Sequence, residues 1–255
     1  MEATLQTKNK NFGLSGFILK ILAIICMTID HATWLWFDSI PYETGMILRT
    51  IGRISFPLIV FMLCEGYIYT SNKYKYAARI GIFAIISMYP FYLMTNEPWN
   101  ILFTLFVGLS CLILKDLAAE KIEKIPKIGW DIIFLVIAGV LSYLMLKVDW
   151  GFWIIVIYIA GNIDNKKVRA VVISTISFIL YLVKELINGM VLVELFNDTW
   201  LLIFYAGVFL AIIPMLLYNG KKGFSYGNIS KYFFYVYYPL HLLILVFICD
   251  GNILP

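Results

Sequence analysis

Charge is scarce in this sequence. Only 14% of its 255 residues are Asp, Glu, Lys or Arg, against 62% hydrophobic and 17% aromatic. With a mean hydropathy of +0.86, that balance excludes an ordinary soluble domain of this length. Histidine occurs twice and cysteine four times, at Cys26, Cys64, Cys111 and Cys249. Each cysteine lies in an apolar run and none is spaced as CxxC, so neither a disulfide framework nor a metal knuckle is indicated and no metal is expected. The chain has no HExxH, no Walker-type glycine-rich loop and no Cys/His cluster. Zinc proteolysis and nucleotide hydrolysis therefore lack support. Cys64 beside Glu65 could carry a thioester in principle, but a buried thiol with nothing to activate it is inert. Internal repeats, low-complexity tracts and long linkers are absent as well, which leaves a single membrane domain as the simplest organisation.

What the chain has in abundance is long apolar runs. Nine candidate spans, bounded by polar or turn-forming residues, fall at roughly 17–37, 45–70, 76–95, 100–117, 129–147, 149–163, 168–188, 199–218 and 231–249. The sixth is short, and the turn of Lys147, Asp149, Trp150 and Gly151 before it could instead be a kink or a re-entrant bend. The expected fold is all-α, a polytopic transmembrane bundle of about nine helices, with eight to ten as the range. Lys8 and Lys10, then Lys73, Lys75 and Arg79, then Lys115, Lys121, Lys124 and Lys127, then Lys166, Lys167 and Arg169, then Lys221, Lys222 and Lys231 all sort to one side. The opposite loops carry Asp38, Glu43, Glu97, Glu194, Asp198 and Asp250, with only Lys147 and Lys184 as basic residues. By the positive-inside rule the amino terminus is cytoplasmic and the carboxyl terminus outside. Residues 1–16 then form a short cytoplasmic segment and 17–255 the membrane domain. The first span ends in Trp34, Trp36 and Phe37, an interfacial belt rather than a small-residue cleavage site, and so reads as a retained span. The short basic loops fit orientation and attraction to anionic lipid better than nucleic acid, so membrane lipids are expected partners and nucleic acid is not.

The few charges inside the apolar runs carry the functional argument, because a charge in hydrocarbon must pair or face a water-filled cavity. They are Lys20, Asp30 and His31 in the first span and Arg49, Arg53 and Glu65 in the second. Lys20 and His31 are eleven residues apart, close to three helical turns, so they share a face with about 16 Å of rise between them. A long ligand entering from the cytoplasm could have its anionic head held at Lys20 while its reactive end approaches His31, and coenzyme A has such a shape. Arg49 and Arg53 are four apart on a helix that begins at the outer surface, which brings them to the depth of Asp30 and His31. In such a cluster His31 would act as a general base and an arginine would stabilise an oxyanion. Asp30 lies about 100° around the helix from His31, so it faces an arginine more readily than the imidazole. Plainer roles stand beside these: an interfacial anchor for Lys20 or Arg49, a structural Asp30–Arg53 ion pair, and a packed core histidine. Glu65 is farther from the cluster and would serve the cytoplasmic half of a cavity, unless a bend at Pro57 moves it.

The spacing Lys20-x10-His31 matches the [R/K]-x10-H pattern of the membrane acyltransferase-3 superfamily. Four segments resemble the TraX family more specifically: LKILAIICMTIDH (19–31), RTIGRISFPLIVFMLCEGY (49–67), NILFTL (100–105) and KYFFYVYYPLHLLIL (231–245). That resemblance spans nearly the whole chain. It implies an acetyltransferase of the kind that acetylates pilin in conjugal transfer, with acetyl-CoA as the cytoplasmic donor and a peptide, carbohydrate or lipid headgroup as an extracytoplasmic acceptor. By residue matching, His31 would be the catalytic base, Lys20 would contact the donor, and Arg49 and Arg53 would support the site. The family pattern often has an acidic residue near an S-x-x-PF motif; here Ser87 to Tyr92 reads SMYPFY, which leaves the acceptor open. Asn100 and Thr104 begin the fourth span near the outer face and would bind the acceptor or, more plainly, bond neighbouring helices. Tyr238 and His241 fall in the last motif, with His241 either a second site histidine or a partner in packing. The alternative class is a small transporter whose buried charges bind an anion or relay protons. A scaffold for an envelope machine would leave His31 and the deep arginines unexplained.

Overall fold

Ser15 starts the first helix: its hydroxyl accepts from the Ile18 N–H at 3.4 Å, while the N–H groups of Gly16 and Phe17 donate to the carbonyls of Lys221 and Lys222 at 2.8 and 3.0 Å. Helix donors that would otherwise be orphaned are thereby satisfied by a strap from the far end of the chain. The computed structural model describes residues 13–146, 151–224 and 227–251. Lys8 and Lys10 of the expected amino-terminal segment, and Lys147, Asp149 and Trp150 of the expected turn, lie outside the described residues, as do the side chains of Lys231 and Asp250.

Among the described residues the chain is helical throughout, with one isolated backbone bridge between Leu14 and Tyr218. In order the helices are α1 (Gly16–Leu35), α2 (Tyr42–Gly52), α3 (Ser55–Tyr69), α4 (Lys73–Ile86), α5 (Met88–Thr95), α6 (Ile101–Lys121), α7 (Lys127–Leu144), α8 (Ile154–Gly161), α9 (Lys166–Ile187), α10 (Leu192–Asn197), α11 (Thr199–Ala206), α12 (Ile212–Leu216) and α13 (Gly227–Gly251). Among the described residues, seven continuous or gently broken stretches are long and apolar enough to cross a membrane, and an eighth is added if α4 and α5 count as one span. The protein is a multi-pass membrane protein.

The breaks have chemical causes. Pro57 has no N–H to return to the carbonyl of Arg53, and α2 hands over to α3 at Arg53 and Ile54. The expected third span is bent by 45° between α4 and α5, where Pro90 removes a donor from the first turn of α5. The sixth expected span, 149–163, is a half-length element: Gly151–Gly161 is about 16 Å long against about 30 Å of hydrocarbon. It is apolar on every side because it lies inside the bundle, where Ile154, Val156, Ile157 and Ala160 are fully buried. The connection between the expected fourth and fifth spans is shorter than expected, since α6 continues to Lys121. Lys115 is therefore a buried helix residue, 3.3 Å from Asp131, and Asp116 accepts from Tyr67 at 2.5 Å and from Lys73 at 2.6 Å.

The half-length helix packs against α6 through glycine. A Cβ at Gly108 would lie 2.8 Å from the Ile157 side chain, whereas one at Gly139 would meet only Ile155 at 3.7 Å. Gly108→Val is expected to destabilise the detergent-purified protein by about 1–3 kcal/mol through overpacking. Gly139→Ala is expected to stay within about 0.5 kcal/mol of wild type. Thermal unfolding of the two variants checks this, and equal midpoints would refute it.

Candidate functional site

Asp30 and His31, adjacent on α1, point to different neighbours. Asp30 turns toward α2, where its Oδ2 accepts from Arg53 Nη2 at 2.5 Å and its Oδ1 lies 3.1 Å from Arg49 Nη1. Arg49 Nη1 also donates to the Asp30 carbonyl at 3.3 Å. Arg53 Nη1 donates to the Tyr181 hydroxyl at 2.9 Å, and its guanidinium carbon sits 4.6 Å from the centre of the Phe204 ring. α1 and α2 come this close because position 52 is glycine: a Cβ there would overlap the Asp30 side chain. Two arginines and one carboxylate, drawn from α1, α2 and the α2–α3 break and backed by α9 and α11, make a charge cluster within the bundle.

His31 turns toward α13. Its Nδ1 is 2.8 Å from Nε2 of His241, with the two rings nearly parallel at 10° and their centroids 5.1 Å apart. His241 Nδ1 is 3.0 Å from the Tyr237 carbonyl, and the Tyr237 ring stacks on His241 at 5.2 Å. The Tyr237 hydroxyl in turn bonds Thr28 Oγ1 at 2.6 Å, one turn before His31.

The cluster and His31 share one cavity of about 360 Å³, lined by Asp30, His31, Arg49 and Arg53 together with Trp34, Trp99, Trp153 and Tyr181. Glu97 and Lys184 line it too. A second space of about 20 Å³, between His31, Gly52 and Tyr238, is large enough for a single water. Tyr238 is 4% exposed and belongs to this inner space.

Three other expected residues sit elsewhere. Lys20, half-buried, holds its ammonium 5.3 Å from the Phe234 ring, so Lys20 and His31 both face α13, three turns apart. Asn100 is fully buried and occupied by structure: it accepts from Leu102 N–H at 3.1 Å as the cap of α6 and donates to the Ala84 carbonyl at 2.9 Å. Thr104 is fully buried one turn further along the same helix. Neither of the two lines the cavity.

Glu65 stands at the other end of the bundle, in an ion cluster of its own. Its Oε1 accepts from Arg169 Nη1 at 2.6 Å and its Oε2 is 3.2 Å from Lys166. Arg169, grouped in the sequence with the solvated cations flanking a span, is fully buried and also donates from Nε to the Ile163 carbonyl at 2.9 Å. The signal for it was Glu65 itself, an acid inside an apolar span that required a cation from another helix.

A bundle of membrane-crossing helices with a polar cavity at one end and a histidine pair beside it defines a polytopic membrane protein with a built intramembrane site. The chain belongs to the TraX family, whose pattern it matches over residues 15–249. It is 31% identical over 257 residues to the probable fimbrial assembly protein FimC, serogroup H1, of Dichelobacter nodosus, covering 93% of this chain and 96% of that one. No solved structure matches it.

The Glu65–Arg169 pair makes a prediction about stability. Glu65→Leu leaves Arg169 buried without its carboxylate and is expected to cost about 3–5 kcal/mol. The double variant Glu65→Leu, Arg169→Leu should recover most of that loss, as read by thermal unfolding. A double variant no more stable than the single one would show that the pair is not coupled.

Proposed function

We propose that this protein is an acetyl-CoA-dependent membrane acetyltransferase of the acyltransferase-3-like kind. It transfers an acetyl group to an amine or hydroxyl at the outer face of the bacterial cytoplasmic membrane. The observation that supports this best is the shared cavity: His31 and the arginine cluster line one space, while Lys20 lies three turns away on the same side of α1. The positive-inside reading of the sequence supports an orientation with the His31 end outside and the Lys20 end in the cytoplasm, which a cytoplasmic donor and an external acceptor require.

In the proposed reaction Nε2 of His31 takes the proton from the acceptor as its nitrogen or oxygen attacks the thioester carbonyl. The tetrahedral oxyanion is met by a guanidinium, the carbon–sulfur bond breaks, and the CoA thiolate leaves with the proton returned by His31. Arg49 suits the oxyanion better than Arg53, because its side chain is 19% exposed, against 7% for Arg53, whose donors go to Asp30 and Tyr181. Asp30 binds both arginines and balances one of their two charges, which leaves a positive charge to meet the oxyanion, and Arg53 acts as the strut that holds Asp30. Trp34, Trp99 and Trp153 offer aromatic walls to an acceptor of peptide, carbohydrate or lipid-headgroup type. The fimbrial name of the relative and the family's link to pilin favour a peptide of a pilus system. Lipid surrounds the bundle, and nucleic acid has no part in the scheme.

Acetyl-CoA is expected to raise the thermal midpoint of the detergent-purified protein in a concentration-dependent way, equivalent to about 2.7 kcal/mol at about 100 times Kd. Lys20→Ala should reduce that shift. His31→Ala should retain it while lowering transfer by about 10²–10⁴-fold. No shift at millimolar acetyl-CoA in folded protein would sink the reading, and wild-type transfer by His31→Ala would remove His31 as the base.

A further inference from the structure

We propose that His241 is a positioning residue that fixes the tautomer of His31, keeping its proton on Nδ1 and its lone pair on Nε2. The inference deepens the acetyltransferase reading, on which its catalytic consequence rests. The tautomer itself follows from hydrogen-bond chemistry alone.

A backbone carbonyl can only accept, so the 3.0 Å contact between His241 Nδ1 and the Tyr237 carbonyl requires the proton on Nδ1. A neutral imidazole carries one N–H, which leaves Nε2 of His241 as an acceptor. The 2.8 Å contact with His31 Nδ1 is then satisfied only if His31 donates. Neutral His31 consequently has its lone pair on Nε2, and its ring lines the cavity. The partner of one ring nitrogen decides the state of the other, and here the chain of decisions starts at a carbonyl that cannot change its role.

The surroundings hold this order in place. Thr28 and His31 lie three apart on α1, and Tyr237 and His241 four apart on α13, so each pair occupies one helix face. The Thr28–Tyr237 hydroxyl bond at 2.6 Å pins the Tyr237 ring, which stacks on His241 at an interplanar angle of 9°. The Tyr238 ring also lies against His241, with centroids 5.6 Å apart. His241 is 4% exposed, so little competing water reaches its nitrogens. Asp30, although adjacent to His31, is bound to Arg49 and Arg53 and does not take the orienting role.

The chain has only two histidines, so protein labelled with ¹⁵N-histidine gives two ring-nitrogen patterns, and His241→Gln leaves one that assigns both. The expected spectrum of wild type at neutral pH shows both rings neutral and protonated at Nδ1. His241→Leu removes the acceptor and is expected to release His31 toward the mixed tautomers of a free histidine, with kcat lowered by roughly 10²-fold or more and KM for acetyl-CoA unchanged. His241→Gln offers a carboxamide oxygen to His31 Nδ1 and should restore the Nδ1–H pattern and part of the lost kcat. A wild-type His31 protonated at Nε2, or a charged His241, would overturn the proposal, and so would a His241→Leu protein whose His31 pattern and kcat match wild type. The spectrum needs no turnover: absence of acetyl transfer in wild type would overturn the acetyltransferase reading, while the tautomer would still stand or fall on its own signals.

Discussion

The structure depends on one constraint, that a charge placed in hydrocarbon must be neutralised by a side chain from another element. A lone buried ion costs several kcal/mol, and only good geometry with further hydrogen bonds offsets that. Asp30 meets the condition by taking two arginines, one on α2 and one at its end, at 3.1 and 2.5 Å. Arg53 meets it by adding the Tyr181 hydroxyl from α9 and the Phe204 face from α11. Those contacts join α1, α2, α9 and α11 at a fixed register, so the cluster is both a site and a clamp. Glu65 and Arg169 repeat the logic between α3 and α9 at the opposite end, and Lys115 with Asp131 does so between α6 and α7.

This constraint explains what could be read from sequence. Apolar runs are contiguous and carry their own lengths, so eight of the nine expected spans correspond to spanning helices or to the bent pair, and the ninth to the half-length helix. The intramembrane position of Lys20, Asp30, His31, Arg49, Arg53 and Glu65 was equally legible, because each interrupts hydrocarbon. Partnership was less so, since the cation for Glu65 comes from a segment where basic residues also mark the cytoplasmic flank. Arg169 was therefore grouped with Lys166 and Lys167 when it is fully buried. The half-length of Gly151–Gly161 was visible only as a short sixth run, for a related reason. An apolar stretch has the same composition whether lipid or protein surrounds it, and only its length hints at the difference.

His241 shows a further limit. Helical spacing places Lys20 and His31 on one face, but nothing local says which of the other helices that face meets. The contact is 210 residues away in sequence and is made when the last helix lies beside the first. Lys20 over Phe234 and His31 beside His241 put the whole Lys-x10-His unit against α13, so that unit has its surroundings only in the full-length fold.

The choice of a histidine to orient a histidine also follows from the opening constraint. In the Ser-His-Asp triad a buried, hydrogen-bonded carboxylate performs that task. At the depth of His31 a second carboxylate would compete with the oxyanion for the one guanidinium charge that Asp30 leaves unbalanced. An imidazole held by the Tyr237 carbonyl accepts from His31 Nδ1 without adding a net charge to the membrane interior. The divergence of Asp30 and His31 around α1 thus separates two tasks that a single acid often combines. Charge balance is assigned to α2 and the α2–α3 break, imidazole orientation to α13, and the cavity lies where the two meet.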